Sequence, residues 1–274
     1  MGIMMKWFKK IIFGVLVLWV GTVLSYDDSV KAHRTEKRVK ETGFTLKNTP
    51  CYQLYLGKKF SEAMKVCQRL ASKNDSEAQY LIARMYWSGQ GVEKNNLIAR
   101  DWYFKAAENG QVNAQKMVAA MYYMGLGVKR SMSKAHDWYT RAAKQNDKGA
   151  QFMAGAYYRI LALKDPSNYS KMWYWFKKSA AQNYTPAFYA MSECYYAGLG
   201  TDVDDRKAFS YMKKAADGGW WHAYFPLGKM YEYGHGVKLN LKKALYWYKK
   251  SADVKQHRRH KAARVKVMLL SPHL

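Results

Sequence analysis

Gly-x-Gly recurs four times along this chain, as Gly89/Gly91, Gly125/Gly127, Gly198/Gly200 and Gly234/Gly236. The first glycines lie 36, 73 and 36 residues apart, and the doubled middle interval marks a hidden unit. An alanine stands eleven residues before each pair and at the hidden start: Ala78, Ala114, Ala150, Ala187 and Ala223. Eight residues after each alanine comes a tyrosine: Tyr86, Tyr122, Tyr158, Tyr195 and Tyr231. A unit of this length cannot bury its own apolar face, so the five units must stack on one another.

Each unit reads as two helices. In the first, positions 0, +4, +5, +7, +8 and +11 share one helical stripe, and the glycine at +11 suits a left-handed terminus. Asn95, Ser131, Asp204 and Asn240 are placed to cap the second helix. That helix carries an alanine (Ala99, Ala135, Ala208, Ala244), an aromatic (Trp102, Trp138, Trp175, Tyr211, Trp247) and a closing small pair such as Ala106/Ala107. Small residues permit close helix approach, and the aromatics fill space between units. The hidden third unit has Leu161 and Leu163 in place of the glycines. There Asp165 as cap with Pro166 at the first helical position is expected to restart the helix, either as local drift or as a change of curvature.

The stretches MYWSGQGV, MYYMGLGV and MYEYGHGV, with WYFKAA and WYTRAA, resemble the Sel-1-like repeat family over residues 78–254 and weakly back to 51. The resemblance implies an all-α fold, a right-handed α/α solenoid superhelix of about five tetratricopeptide-like repeats with terminal caps. It also implies an adaptor that holds other proteins, with no shared catalytic residue. The expected organisation is a leader (1–25), a flexible lead-in (26–50), a capping half-repeat (51–77), repeats at 78–113, 114–149, 150–186, 187–222 and 223–254, and a basic capping helix or tail (255–274).

The leader has Lys6, Lys9 and Lys10 followed by the uncharged run 11–24, the layout of a signal peptide cut after Ser25. The run is short for a bilayer, yet an uncleaved anchor seated by Trp7, Phe8 and Trp19 is the competing reading. Export, to the bacterial periplasm, is expected in either case. In an oxidising compartment Cys51 and Cys67, sixteen residues apart, are expected to form a disulfide stapling the cap. Cys194 replaces a core methionine at +7 and reads as a buried thiol.

No cofactor or metal is expected: the seven histidines form no spaced ligand set, and no P-loop occurs. Two Ser-x-x-Lys matches, Ser131/Lys134 and Ser210/Lys213, keep open a β-lactam or peptidoglycan hydrolase, but no accompanying Ser-Asp-Asn or Lys-Thr-Gly supports it.

The 46 Lys and Arg against 20 Asp and Glu give a formal charge of +26. Such a field favours an acidic protein, anionic lipid or an envelope polymer, while export removes nucleic acid as a natural partner. The tail residues Arg258, Arg259, Lys261 and Arg264 form a candidate anion-binding segment. First helices should line the concave surface with positions +2, +6 and +9 on their unpacked side. Position +9 reads Trp87, Tyr123, Arg159, Tyr196 and Glu232, a candidate protein-binding groove; +2 reads Tyr80, Lys116, Phe152, Tyr189 and Phe225. The expectation is therefore a non-catalytic exported scaffold, or alternatively an immunity or inhibitor protein that neutralises an envelope-acting toxin or enzyme.

Overall fold

The computed structural model describes residues 49–254 and 260–271; the leader, most of the lead-in and the tail residues Arg258 and Arg259 lie outside them. The described residues fold into helices without strands. They run α1 (Pro50–Leu56), α2 (Phe60–Ala71), α3 (Ser76–Ser88), α4 (Asn96–Glu108), α5 (Val112–Met124), α6 (Met132–Lys144) and α7 (Lys148–Leu161). The chain continues through α8 (Asn168–Ala181), α9 (Thr185–Ala197), α10 (Asp205–Asp217), a 3-10 turn (Trp221–Ala223), α11 (Tyr224–Tyr233), α12 (Leu241–Asp253) and α13 (His260–Leu270). Contacts divide the chain into two compact units. The first runs through Gln111 and includes Leu126–Val128; the second comprises Val112–Gly125 and the chain from Lys129 onward.

Helix boundaries follow the local chemistry. Asn95, Ser131, Asp204 and Asn240 each accept a backbone N–H of the first turn they precede, as expected. Asp75 and Asp147 do the same for α3 and α7, a pair the sequence reading did not single out. Gly89 ends α3 at φ 70°, a conformation costly for any residue with a Cβ.

The second glycine has a different task in three of the four pairs. A Cβ on Gly91 would lie 2.6 Å from Phe60 Cβ, and one on Gly200 or Gly236 would run into the backbone of Tyr169 or Asp205. Each of these loops therefore rests on the first turn of the preceding unit's second helix, where only glycine fits. In the third repeat, where the glycines are missing, α7 runs on to Leu161 and ends at Ala162 in right-handed geometry. Asp165 accepts from Ser167 N at 3.0 Å and from Asn168 Nδ2, but α8 begins at Asn168. Asp165 thus caps a turn containing Pro166, two residues before the helix starts there, which corrects the expected restart.

In the third and fifth hairpins a glycine at +5 of the first helix faces a large residue on the second. Cβ atoms on Gly155 and Gly228 would meet the rings of Phe176 and Tyr248 at 2.6 and 2.7 Å. These rings are almost fully buried, and each such side chain contributes about 1.5–3 kcal/mol by leaving water. The first unit's core gathers Met64, Leu81, Ile82 and Met85 around Cys51 and Cys67. In the second unit Met172, Phe176, Met191 and Cys194 form one cluster, and Met212, Leu227, Trp247 and Tyr248 another.

The ends are closed by added helices. Thr49 caps the seven-residue α1, with Pro50 at its start, so the lead-in stops one residue earlier than expected. Cys51 on α1 and Cys67 on α2 are joined by a disulfide across a Cα–Cα distance of 5.1 Å. At the other end Ala263 of α13 is buried, and Val267 and Leu270 pack on the last core cluster.

Candidate functional site

The +9 side chains of the first helices are not equivalent. In the first unit Trp87 is half-buried and meets the Tyr103 ring edge-on at 6.4 Å. In the second unit Tyr123 on α5 is only 7% exposed, and the Arg130 guanidinium lies 5.9 Å from its ring. Burial pushes the Tyr123 hydroxyl above its ordinary pKa. Arg159 on α7 donates to Glu193 on α9 at 2.7 Å, both side chains about one-fifth exposed. Burial opposes the charge on Arg159, but the Glu193 carboxylate outweighs it and raises the guanidinium pKa. Tyr196 on α9 is 41% exposed.

Glu232 on α11 is already occupied. Its carboxylate accepts from Tyr248 on α12 and from Lys266 on α13, each at 2.5 Å. Burial alone would raise its pKa, yet these hydrogen bonds hold it below the usual carboxylate range. The expectation of an open row of five is therefore corrected: Tyr196 is exposed, Tyr123 is buried, and Arg159 and Glu232 are paired. The reason is that neighbouring helices reach further around each first helix than a single helical wheel shows.

Position +2 is corrected as well. Tyr80 packs on Tyr103, Phe152 on Phe176 and Tyr184, and Phe225 on Tyr248, while Lys116 pairs with Asp147 at 3.0 Å. The three aromatics belong to the hairpin interior, and Lys116 bridges to the cap of the next hairpin.

An exposed cluster appears where Tyr196 stands. His235, in the loop after α11, meets the Tyr196 ring edge-on at 5.9 Å and the Tyr233 ring at 6.0 Å. Tyr233, at +10, is 52% exposed, with Lys229 and Lys266 over its ring at 5.7 and 5.5 Å. The ion pairs Arg159–Glu193 and Glu232–Lys266 flank the three rings within the same unit. Sequence reasoning missed Tyr233 and His235, since neither position repeats as an aromatic.

The hydrolase residues are otherwise engaged. The Ser131 hydroxyl accepts from Lys134 N at 3.3 Å, while Lys134 Nζ lies over Tyr122. Lys213 Nζ pairs with Asp217, and Ser210 is exposed on α10. Neither lysine is aimed at its serine as a base. Burial pushes the Cys194 thiol up to about 12, which disarms it as a nucleophile. Among the described residues no group of three His, Cys, Asp or Glu is placed to hold a metal. Of the tail candidates Arg264 is exposed on α13, while the side chain of Lys261 lies outside the described set.

Recurring helical hairpins, four of them turned by a glycine loop, with the loops at Gly91, Gly200 and Gly236 resting on the preceding unit, define an α/α solenoid repeat protein. The Sel1 repeat pattern matches residues 76–111, 112–147, 149–184, 186–220 and 221–254, so the chain belongs to the Sel1 repeat family. A solved Sel1 repeat protein from Oxalobacter formigenes is 32% identical, over 77% of this chain and 87% of its own, at a TM-score of 0.68. The protective antigen c5321 of uropathogenic Escherichia coli, with an SLR fold, is 22% identical over 82% of this chain and 56% of its own, at 0.52. The immunity protein Pa5087 from Pseudomonas aeruginosa is 20% identical over 71% and 74%, at 0.42, a likeness too distant to bear on function. No curated protein matches the sequence.

Proposed function

We propose that the chain is a non-catalytic scaffold that captures another protein through the first-helix side of its second unit, at Tyr196, Tyr233 and His235. The observation that carries this reading is the meeting of three partly exposed rings between two flanking ion pairs. Large rings held by their neighbours lose little entropy on contact, which is why tyrosine is enriched at binding hot spots. The family's α/α architecture supports a protein partner, and the chain's +26 charge would speed encounter with an acidic one.

Export belongs to the same reading. The disulfide between Cys51 and Cys67 supports an oxidising compartment, consistent with a periplasmic protein released from, or held by, residues 1–25. If the captured protein is a toxin or an envelope enzyme, the scaffold takes the form of an immunity or inhibitor protein.

The test uses the purified chain and its Tyr196→Ala/Tyr233→Ala variant as baits for a bacterial envelope extract, with quantitative mass spectrometry. Two hot-spot rings at about 1–2 kcal/mol each predict at least a tenfold loss of the specific partner. Equal recovery by a variant of unchanged helicity rejects this surface.

A further inference from the structure

The second unit's charge is segregated by layer. Its second helices, α6, α8, α10 and α12, carry 14 lysines and arginines against four acids. Its first helices, α5, α7, α9 and α11, carry four against two. The excess positive charge of the second unit therefore lies on its second helices rather than on the helices that carry Tyr196 and Tyr233.

That layer is ordered. Each second helix presents two exposed cations seven residues apart: Lys134 and Arg141, Lys171 and Lys178, Lys207 and Lys214, Lys243 and Lys250. Seven residues are two turns, about 10.5 Å along one face. In the first row the four Nζ atoms lie 5.3, 5.6, 5.4 and 5.5 Å from the rings of Tyr122, Tyr158, Tyr195 and Tyr231. In the second row Arg141 lies 4.3 Å over Trp138, Lys178 5.8 Å over Trp175, Lys214 5.5 Å over Tyr211 and Lys250 5.1 Å over Trp247. In these four repeats the marker tyrosine is thus a platform holding a lysine, which limits the entropy lost when that lysine meets an anion.

The helices bearing these rows are neighbours. The loops at Gly200 and Gly236 rest on the first turns of α8 and α10, and Gln182, just past α8, donates to Asn146 O, just past α6. The eight cations therefore form a strip two wide and four repeats long. Of the eight, Lys207 is shared with an acid, Asp204, at 3.0 Å.

We propose that this strip binds a linear polyol-phosphate polymer, a phosphodiester chain without bases. Seven of the eight cations are lysines, point charges suited to single phosphate oxygens, whereas protein interfaces are depleted of lysine. The rings that would give a protein partner its anchors are already covered by the cations. A strip of fixed pitch matches a chain that carries a charge in every unit, and it leaves Tyr196 and Tyr233 free to hold a protein at the same time.

The experiment measures binding of poly(glycerol phosphate) to the full chain by fluorescence anisotropy across 50–300 mM salt. The variant Arg141→Gln/Lys178→Gln/Lys214→Gln/Lys250→Gln should bind more weakly, with a plot of log K against log salt shallower by about 3, near 0.7 per lost phosphate contact. A control of equal net charge, Lys59→Gln/Lys65→Gln/Lys73→Gln/Lys94→Gln, should retain the parent slope. So should Tyr196→Ala/Tyr233→Ala, which separates this surface from the protein site. Circular dichroism establishes that each variant is folded. Equal loss in the control overturns the strip in favour of general charge. Equal affinity for polyglutamate, or for vesicles containing 30% phosphatidylglycerol, overturns the polymer in favour of an acidic protein or a membrane.

Discussion

Gln182 Nε2 donates to the Oε1 of the buried Gln151 at 2.9 Å, closing the third hairpin from the end of its second helix back to the start of its first. Asn109 closes on Gln79 and Gln145 on Gln115 in the same way, also at 2.9 Å. The buried amide also reaches backward: Gln79 Nε2 donates to Ala71 O and Gln151 Nε2 to Ala143 O, each at 3.3 Å. One side chain thereby ties three helix ends together.

Replacing Gln151 with leucine keeps the volume but leaves the Ala143 carbonyl and the Gln182 amide without this partner. Both keep a bond to Asn146, so the loss is that of the hydrogen bonds themselves, about 0.5–1.5 kcal/mol each. Urea unfolding of Gln151→Leu should show that loss with an unchanged m-value, and undiminished stability would deny the amide this role.

Gly155 is a packing requirement rather than a helix defect. Alanine there gains up to about 1 kcal/mol of helix propensity, but its Cβ meets the Phe176 ring at 2.6 Å. Overpacking costs about 1–3 kcal/mol, so Gly155→Ala is expected to be neutral to destabilising and Gly155→Val clearly destabilising. Adding Phe176→Leu should recover part of the Gly155→Val loss; strictly additive effects would show that the two residues are not coupled.

The Cys51–Cys67 link closes a loop of sixteen residues in the first unit. On chain-entropy grounds it contributes about 3 kcal/mol. Cys51→Ala/Cys67→Ala should melt at a lower temperature than the oxidised chain, and dithiothreitol should lower only the parent. Equal melting of all samples would assign the link no stabilising role.

Docking of α13 should depend on acid. Lys266 and Tyr248 hold the Glu232 carboxyl below its ordinary value of 4.5 against the opposing effect of burial. A folded pKa below the unfolded one means stability that is present above about pH 4.5 and is lost as pH falls through the folded value. Thermal melts from pH 7 to pH 3 should therefore show a gap between the parent and Glu232→Gln that narrows in acid. A gap independent of pH would exclude this carboxylate as the titrating group.

Much of the fold was legible because it is local. The repeat period, the four caps at Asn95, Ser131, Asp204 and Asn240, and the core place of Cys194 each follow from helix geometry and side-chain chemistry within one unit. The binding face was not legible in that way. Tyr123 and Tyr196 hold the same repeat position, yet Tyr123 is buried and Tyr196 exposed, because burial depends on what the surrounding helices bring. Glu232 looks free on a helical wheel and is claimed by Lys266 from 34 residues away.

The amino-acid order alone determined five helical hairpins, since periodic apolar stripes, caps and glycine stops act over a few residues. Only the tertiary structure decided why Gly91, Gly200 and Gly236 are required, which rings remain in water, and that the second unit's excess positive charge lines its second helices. Those properties arise where separate segments meet, and each is set by the space and charge that the neighbouring segment leaves.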